Sequence, residues 1–269
     1  MQLKSTWEVN MGMARMAVGL AVALVAHAEG PTFEVAAIKV NKTESRNSGF
    51  RRAGPGQLNA TNASLKMLIE YAYDVRDYQL TGGPNWLDTE RYDILAKPPA
   101  DADADIKTTA EQTARLRQRV QALLADRFQL TLHRTTKELP IYALTVAKNG
   151  PKGLKEPDGS ASDLINNGHH LTCHKVSIEM MAKVFLQSTL GRSVVDKTGI
   201  QGDFDFTLDW VADVGVRRPP GEPGTEPAAL PEGPSLFTAL QEQLGLKLEP
   251  QKGPVEILVI DKVEKPSEN

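Results

Sequence analysis

Apolar and polar positions along the chain follow one pattern twice. After Ser64, apolar residues fall at the i, i+3, i+4 and i+7 positions of an amphipathic helix, and the same spacing recurs after Ser177. The two matching sets are Leu65, Leu68, Ile69 and Ala72, and Ile178, Met181, Ala182 and Phe185. This period predicts two helices, each of which begins at a serine N-cap and buries one face. The recurrence of the spacing predicts an internal duplication.

Further blocks recur in the same order after each helix. Tyr92-Asp93-Ile94 and Phe204-Asp205-Phe206 alternate apolar residues with an acid, as half-buried strands do. Asp93 and Asp205 therefore occupy equivalent strand positions, which predicts a structural role such as bonding a neighbouring loop. The apolar positions of a later helix also match: Val120, Leu124 and Phe128 with Leu236, Leu240 and Leu244.

The recurring blocks predict an α+β protein of two tandem related units, each with two helices packed on a small, mainly antiparallel sheet. The first unit is predicted at residues 29–150 and the second at 169–269, with a linker at 151–168. Residues 213–234 carry six prolines and no apolar periodicity, which predicts an insertion within the second unit. The alternative is that two unrelated α+β segments align once gaps are allowed.

The amino-terminal residues have the pattern of an export signal. Arg15 precedes an apolar stretch at residues 16–25, and Ala26-His27-Ala28 offers small residues at the two positions that a signal peptidase reads. We therefore expect a signal peptide at residues 1–28 and a periplasmic or secreted protein. The apolar stretch is too short to cross a bilayer comfortably, so no integral membrane span is expected in the mature chain.

Charge and cysteine usage exclude some classes of function. The formal net charge is −3, and no basic patch is dense enough to bind nucleic acid. The densest basic cluster, Arg115, Arg117 and Arg119, is interpreted as the solvated face of a helix. Cys173 is the only cysteine in the sequence, so no internal disulfide can form.

Motifs of nucleophilic, zinc-protease or nucleotide chemistry are missing from the sequence. No serine has a lysine three residues later, and there is no Gly-x-Ser-x-Gly, no His-Glu-x-x-His and no phosphate-binding glycine loop. Asp196-Lys197-Thr198-Gly199 resembles parts of two enzyme motifs, but we interpret it as a turn, because Asp favours Asx-turns and Gly tolerates positive φ. We therefore assign no catalytic residue and no cofactor.

One short segment carries residue types that bind metals. His169, His170, Cys173 and His174 offer the imidazole and thiolate groups that suit zinc, and His170 with His174 is the candidate pair. The segment precedes the Ser177 cap, where a strand is expected. On a strand His170 and His174 share one face and Cys173 lies on the other, so the four residues cannot converge. The alternative is a polar strand that binds no ion.

Several longer blocks carry a family resemblance. The segment 191–208, which contains the Asp-Lys-Thr-Gly turn, is the most specific, and residues 33–39, 244–249 and 255–263 accompany it. With them the chain resembles a secreted family that is heavily expanded in soil Acidobacteria and described only as a domain of unknown function. That family brings no activity or site residue. Some of its relatives look fused to, or lie near, sensor-type membrane metallopeptidases, which implies extracytoplasmic sensing or interaction.

Duplication, export and the missing catalytic motifs together favour a non-enzymatic binding or protein-interaction module of the cell envelope. Its partner is an unknown envelope protein or a small ligand, expected in a groove between the two units. Two alternatives stay open. One is an envelope-acting hydrolase that uses carboxylates which the sequence cannot pair, and the other is a regulator or sensor of an envelope peptidase.

Overall fold

The computed structural model describes residues 30–43, 47–51, 54–159, 161–211 and 233–266. The predicted signal peptide and nearly all of the predicted proline-rich insertion therefore lie outside the described residues. From Pro31 onward the chain forms one compact unit. No helix among the described residues has both the length and the apolar character needed to cross a membrane.

The elements described before residue 147 alternate between strands and helices. In chain order they are β1 (Val35–Val40), β2 (Gly49–Arg51), β3 (Leu58–Ser64), α1 (Leu65–Tyr73), a 3-10 turn (Asp77–Gln79), β4 (Leu80–Gly82), α2 (Trp86–Thr89), β5 (Arg91–Lys97), α3 (Thr109–Arg127) and β6 (Thr131–Val146). Ser64 caps α1 as predicted, because its Oγ accepts a 3.2 Å hydrogen bond from the N–H of Met67.

The elements after residue 147 follow a similar order. They are β7 (Asp163–Asn166), β8 (His170–Ser177), α4 (Ile178–Met180), a π-helical segment (Met181–Leu186), α5 (Gln187–Leu190), β9 (Val194–Asp196), β10 (Asp203–Asp209), α6 (Leu236–Ala239), a second π-helical segment (Leu240–Leu244) and β11 (Leu246–Lys262). Ser177 caps α4 through a 3.1 Å bond from the N–H of Met180.

The described strands form three small sheets, which confirms the predicted α+β class. Their orders are β1-β5-β3-β2, β10-β8-β7 and β4-β11-β6-β9. The first two sheets are antiparallel throughout. The third is mixed, since β4 runs parallel to β11 and β9 runs parallel to β6.

The order of elements recurs, with β3-α1-β4-β5-α3-β6 followed by β8-α4/α5-β9-β10-α6-β11. Origin by duplication stays a prediction, and so does the division into two domains. The two halves share one sheet, because β6 and β11 pair along their length, from Val146 opposite Leu246 to Thr131 opposite Lys262. The predicted linker at 151–168 also contains β7, which pairs with β8.

Each half packs its own hydrophobic core, but each core also takes residues from the other half. Ile260 of β11 packs among the buried residues of the first half. Leu144 of β6 packs among those of the second half, with Tyr142 partly buried against them. The long strands therefore tie the two cores together.

The prediction of a solvated arginine face on α3 was wrong for Arg119. Its side chain is only 1% exposed and donates two hydrogen bonds to Asp103, at 2.7 and 2.6 Å. The loop that carries Asp103 folds over this face of the helix, so the guanidinium is buried together with its counter-ion. Gly56 packs against the pair, because a Cβ there would lie 2.0 Å from Asp103 Oδ2.

Candidate functional site

A groove lies where the two halves of the chain meet. One wall comes from the end of α1 and the residues after it, including Arg76, and the other from the π-helical segment with Lys183 and Val184. Val195 of β9 and Val255 of β11 lie between these walls. The groove has a volume of about 430 Å³. A smaller recess of about 280 Å³ adjoins it and shares Arg76 as a lining residue.

Hydrogen bonds connect the residues on the two sides of the groove. The hydroxyl of Tyr78 donates to Gln187 Oε1 at 3.1 Å and lies 3.2 Å from Ser193 Oγ. Gln79 Nε2 donates to the carbonyl of Glu256 at 3.2 Å. Burial raises the pKa of Tyr78, so its hydroxyl stays protonated at neutral pH. These bonds make the groove a preformed feature of the fold.

The lining includes apolar side chains that stay partly exposed. Val184 is 41% exposed and Val195 is 39% exposed. Scattered exposed valines need no explanation, but these two line the same concave surface. Concave surfaces that combine apolar side chains with a few polar groups are where ligands usually bind.

The charged residues of the groove are unevenly paired. All three acids that line the groove and its recess have a basic partner: Asp74 pairs with Arg117 at 2.8 Å, Asp77 with Lys66, and Glu256 with Arg134. Arg76 and Lys183 are exposed, and neither forms an ion pair within the described part of the chain. The groove therefore presents two exposed cations that have no ion-pair partner among the described residues.

Strand β8 places the predicted metal ligands on one face of the second sheet. His170, Thr172 and His174 alternate with buried neighbours, as expected for a strand, and Cys173 faces the core. The two histidines are four residues apart, which separates their Cα atoms by about 13 Å along a strand. Metal binding by His170 and His174 as a pair stays a prediction.

His170 lies between an acid and a hydroxyl group. Its Nδ1 is 2.5 Å from Asp209 Oδ1, and its Nε2 is 3.0 Å from Thr172 Oγ1. An acid, an imidazole and a hydroxyl connected in this order can activate a nucleophile. However, the side chains of His170 and Asp209 are 42% and 66% exposed, and they lie outside the groove.

His174 has carboxylate neighbours that sequence reasoning did not connect with it. One potential ligand atom from each of Asp158, His174 and Asp205 lies within 4.8 Å of the other two. His174 Nδ1 is 3.8 Å from Asp205 Oδ2. A histidine nitrogen and carboxylate oxygens suit zinc. The recurrence of Asp205 was visible in the sequence, but nothing there pointed to Asp158, which comes from the loop before β7.

Asp205 also has a role that needs no ion. Its Oδ1 accepts a bond from the N–H of Lys175 at 2.8 Å, and its Oδ2 accepts one from the N–H of Asp158 at 3.0 Å. These backbone donors hold the pKa of Asp205 below its ordinary value. Asp93 makes the equivalent contact in the first half, to the N–H of Asn62. The predicted structural role of Asp93 and Asp205 is confirmed.

Two other sequence interpretations are resolved in the same region. The Asp196-Lys197-Thr198-Gly199 segment is a turn, in which Asp196 Oδ1 accepts from the N–H of Thr198 at 2.8 Å and Gly199 has a φ of 69°. Cys173 is fully buried, and burial raises the pKa of its thiol to about 12. The thiol therefore points away from the face that carries the histidines, and we expect it to be unreactive.

Comparison with known proteins gives a family and no activity. A family model described as a protein of unknown function (DUF3738) matches residues 66–263, which include the groove, both histidine clusters and the shared sheet. Searches of the curated proteins and of the solved structures returned no match.

Proposed function

Because the chain belongs to the DUF3738 family of proteins of unknown function, we propose a role from its own residues: it is a non-enzymatic binding module whose ligand or partner occupies the groove. The observation that carries the proposal is the pairing of exposed cations with exposed valines on one concave, preformed surface. Arg76 and Lys183 supply the cations, and Val184 and Val195 supply the apolar contacts. Ligand sites usually combine these two features.

We place this module in the cell envelope. The support is the sequence pattern of residues 1–28, with a positive charge, an apolar stretch and small residues at the cleavage position. Sensing or regulation of an envelope peptidase would be one form of the same binding role. That form is supported only by the resemblance of the chain to proteins found near such peptidases.

A hydrolase is the second candidate, and the contacts of His170 favour it. Asp209, His170 and Thr172 are connected by hydrogen bonds in the same order as the acid, histidine and hydroxyl group of a nucleophilic triad. Catalysis would also need a pocket and donors for the developing oxyanion. The side chains of His170 and Asp209 are 42% and 66% exposed within the described part of the chain, so binding in the groove is the stronger proposal.

The proposed function is tested by photo-crosslinking in the native host. A photoreactive residue replaces Val195 in the groove or, as a matched control, Ile165 on β7, which is similarly exposed at 44% against 39%. We expect one reproducible adduct at Val195 and none of the same mass at Ile165. Equal labelling at the two positions, or no adduct at Val195, would contradict binding in the groove.

The alternative has its own measurement. Ester, amide and glycoside substrates would be screened with the wild-type chain and with Thr172→Val, which removes the hydroxyl and keeps the shape of the side chain. Turnover that the wild type shows and Thr172→Val loses would establish the hydrolase. Turnover that both share would exclude Thr172 as the nucleophile.

A further inference from the structure

This inference rests on the proposed function and names the class of ligand. We infer that the groove binds an extended, acidic peptide segment of a partner protein. Arg76 and Lys183 bind its carboxylates, while Val184 and Val195 contact its apolar side chains.

The charge of the occupant follows from how the groove charges are paired. Asp74 and Glu256 are each paired with a basic side chain, and Asp77 shares Lys66 with Asp88, so these pairs weaken the repulsion of an incoming anion. Arg76 influences the ionisation of Glu70, but no hydrogen bond or ion pair joins the two residues. Arg76 and Lys183 therefore remain available to an external carboxylate, and charge complementarity favours an acidic partner.

The shape of the site indicates a chain rather than a compact molecule. Small-ligand sites enclose most of the surface of their ligand. Here Val184 and Val195 are 41% and 39% exposed, so the groove lies open along one side. Its volume of about 430 Å³ continues into the recess of about 280 Å³ at Arg76 and Gln187. An extended segment can follow this path and leave its outer side in solvent.

The polar groups of the groove also suit an extended backbone. Gln187 and Ser193 line the groove, and each makes one hydrogen-bonding contact with the hydroxyl of Tyr78. Their remaining donor and acceptor sites can bond peptide groups. Alternate side chains of an extended segment point in opposite directions, so apolar residues can contact the valines while acidic ones reach the cations.

The test begins with a displayed library of random dodecapeptides, selected on the purified mature chain. Enriched peptides are synthesised, and their dissociation constants are measured with the wild type and with Arg76→Gln plus Lys183→Gln. The matched control is Lys39→Gln plus Lys148→Gln, which removes two exposed lysines that line neither the groove nor its recess. The melting temperature of each variant verifies that it is folded.

We expect enriched peptides in which Asp or Glu alternates with apolar residues. Two exposed charge contacts predict that the groove variant weakens binding about tenfold, with no change in the control. The binding should also weaken with added salt, because exposed charges are screened.

Two results would overturn the inference. Neutral or basic peptides that bind the wild type and the groove variant equally would show that the ligand is not acidic. A selection with no peptide sensitive to the groove variant would show that the ligand is not an extended peptide. Neither result removes the proposed function, because photo-crosslinking at Val195 reports any occupant of the groove, including a small molecule.

Discussion

Asp205 accepts a 2.8 Å hydrogen bond from the backbone N–H of Lys175, a residue with a φ of 50°. Asp93 makes the same bond to Asn62, whose φ is 51°. In each half the register of the strand pair shifts near this point, which marks a β-bulge. The aspartate therefore accepts a hydrogen bond from a backbone N–H within the bulge. Positive φ is costly for residues other than glycine, and the carboxylate contact compensates for it.

We predict that Asp93→Ala destabilises the chain by about 1.5–3 kcal/mol, the usual contribution of a hydrogen bond to a charged group. Asp93→Asn is the matched control, because its amide oxygen can still accept from the N–H of Asn62, and its cost should be smaller. Urea denaturation of the three chains measures the difference. Equal losses for the two variants would mean that the acceptor at this position does not support the bulge.

Loss of the buried ion pair between Arg119 and Asp103 should destabilise the chain much more than loss of an exposed ion pair. Asp103→Ala leaves a guanidinium that is 1% exposed without its partner, so the expected loss is about 3–5 kcal/mol. Asp105→Ala breaks the more exposed pair with Arg115 and should cost less than about 1 kcal/mol. Chemical denaturation compares the two variants, and similar losses would contradict the importance of the buried pair.

Acid should destabilise the fold partly through Asp103. Hydrogen bonds from Arg119 hold the pKa of Asp103 below its ordinary value. The contribution of this group is therefore complete above its unfolded pKa of about 4 and is lost as the pH falls through the lower folded value. The stability difference between wild type and Asp103→Asn should shrink below about pH 4. Asp101→Asn, at an exposed position, is the control for the loss of one carboxylate.

Cys173 should be chemically silent in the folded chain. Its side chain is buried, and its thiol pKa is raised to about 12, so almost no thiolate forms near neutral pH. A disulfide reagent at mildly alkaline pH should label it only after denaturant is added. Rapid stoichiometric labelling of the native chain would show that the second core opens readily.

To the predicted pair of His170 and His174 the structure adds a second candidate metal site, His174 with Asp158 and Asp205. If zinc binds there, it should raise the melting temperature of the wild type and of His170→Ala, but not that of His174→Ala. A melting temperature that neither zinc nor a chelator changes would favour the alternative, a polar strand without an ion.

Periodicity predicted the local elements well. The spacing after Ser64 and Ser177 marked both helix starts, and the alternation around Asp93 and Asp205 marked β5 and β10. These features depend on neighbouring residues, which is why a single sequence reveals them. The predicted linker hid β7 because strands this short carry too few residues to show a period.

Features that depend on distant partners could not be predicted. Arg119 looked exposed because arginine usually is, and its counter-ion Asp103 lies in a loop that showed no apolar period. The same limit applies to the groove. Asp74 and Arg117 are far apart in sequence, so the sequence did not show that Asp74 would pair with Arg117 and leave Arg76 without an ion-pair partner.

The contribution of β6 and β11 to the core of the other half also affects how the chain folds. Ile260 completes the first core from near the end of the chain, and Leu144 completes the second from near its middle. Each core therefore includes a residue of the β6–β11 pair, whose pairing positions lie a hundred or more residues apart in sequence. Such long-range closure slows folding. It also means that neither half should fold well as a separate fragment. The two halves should therefore fold and unfold together in a single cooperative transition.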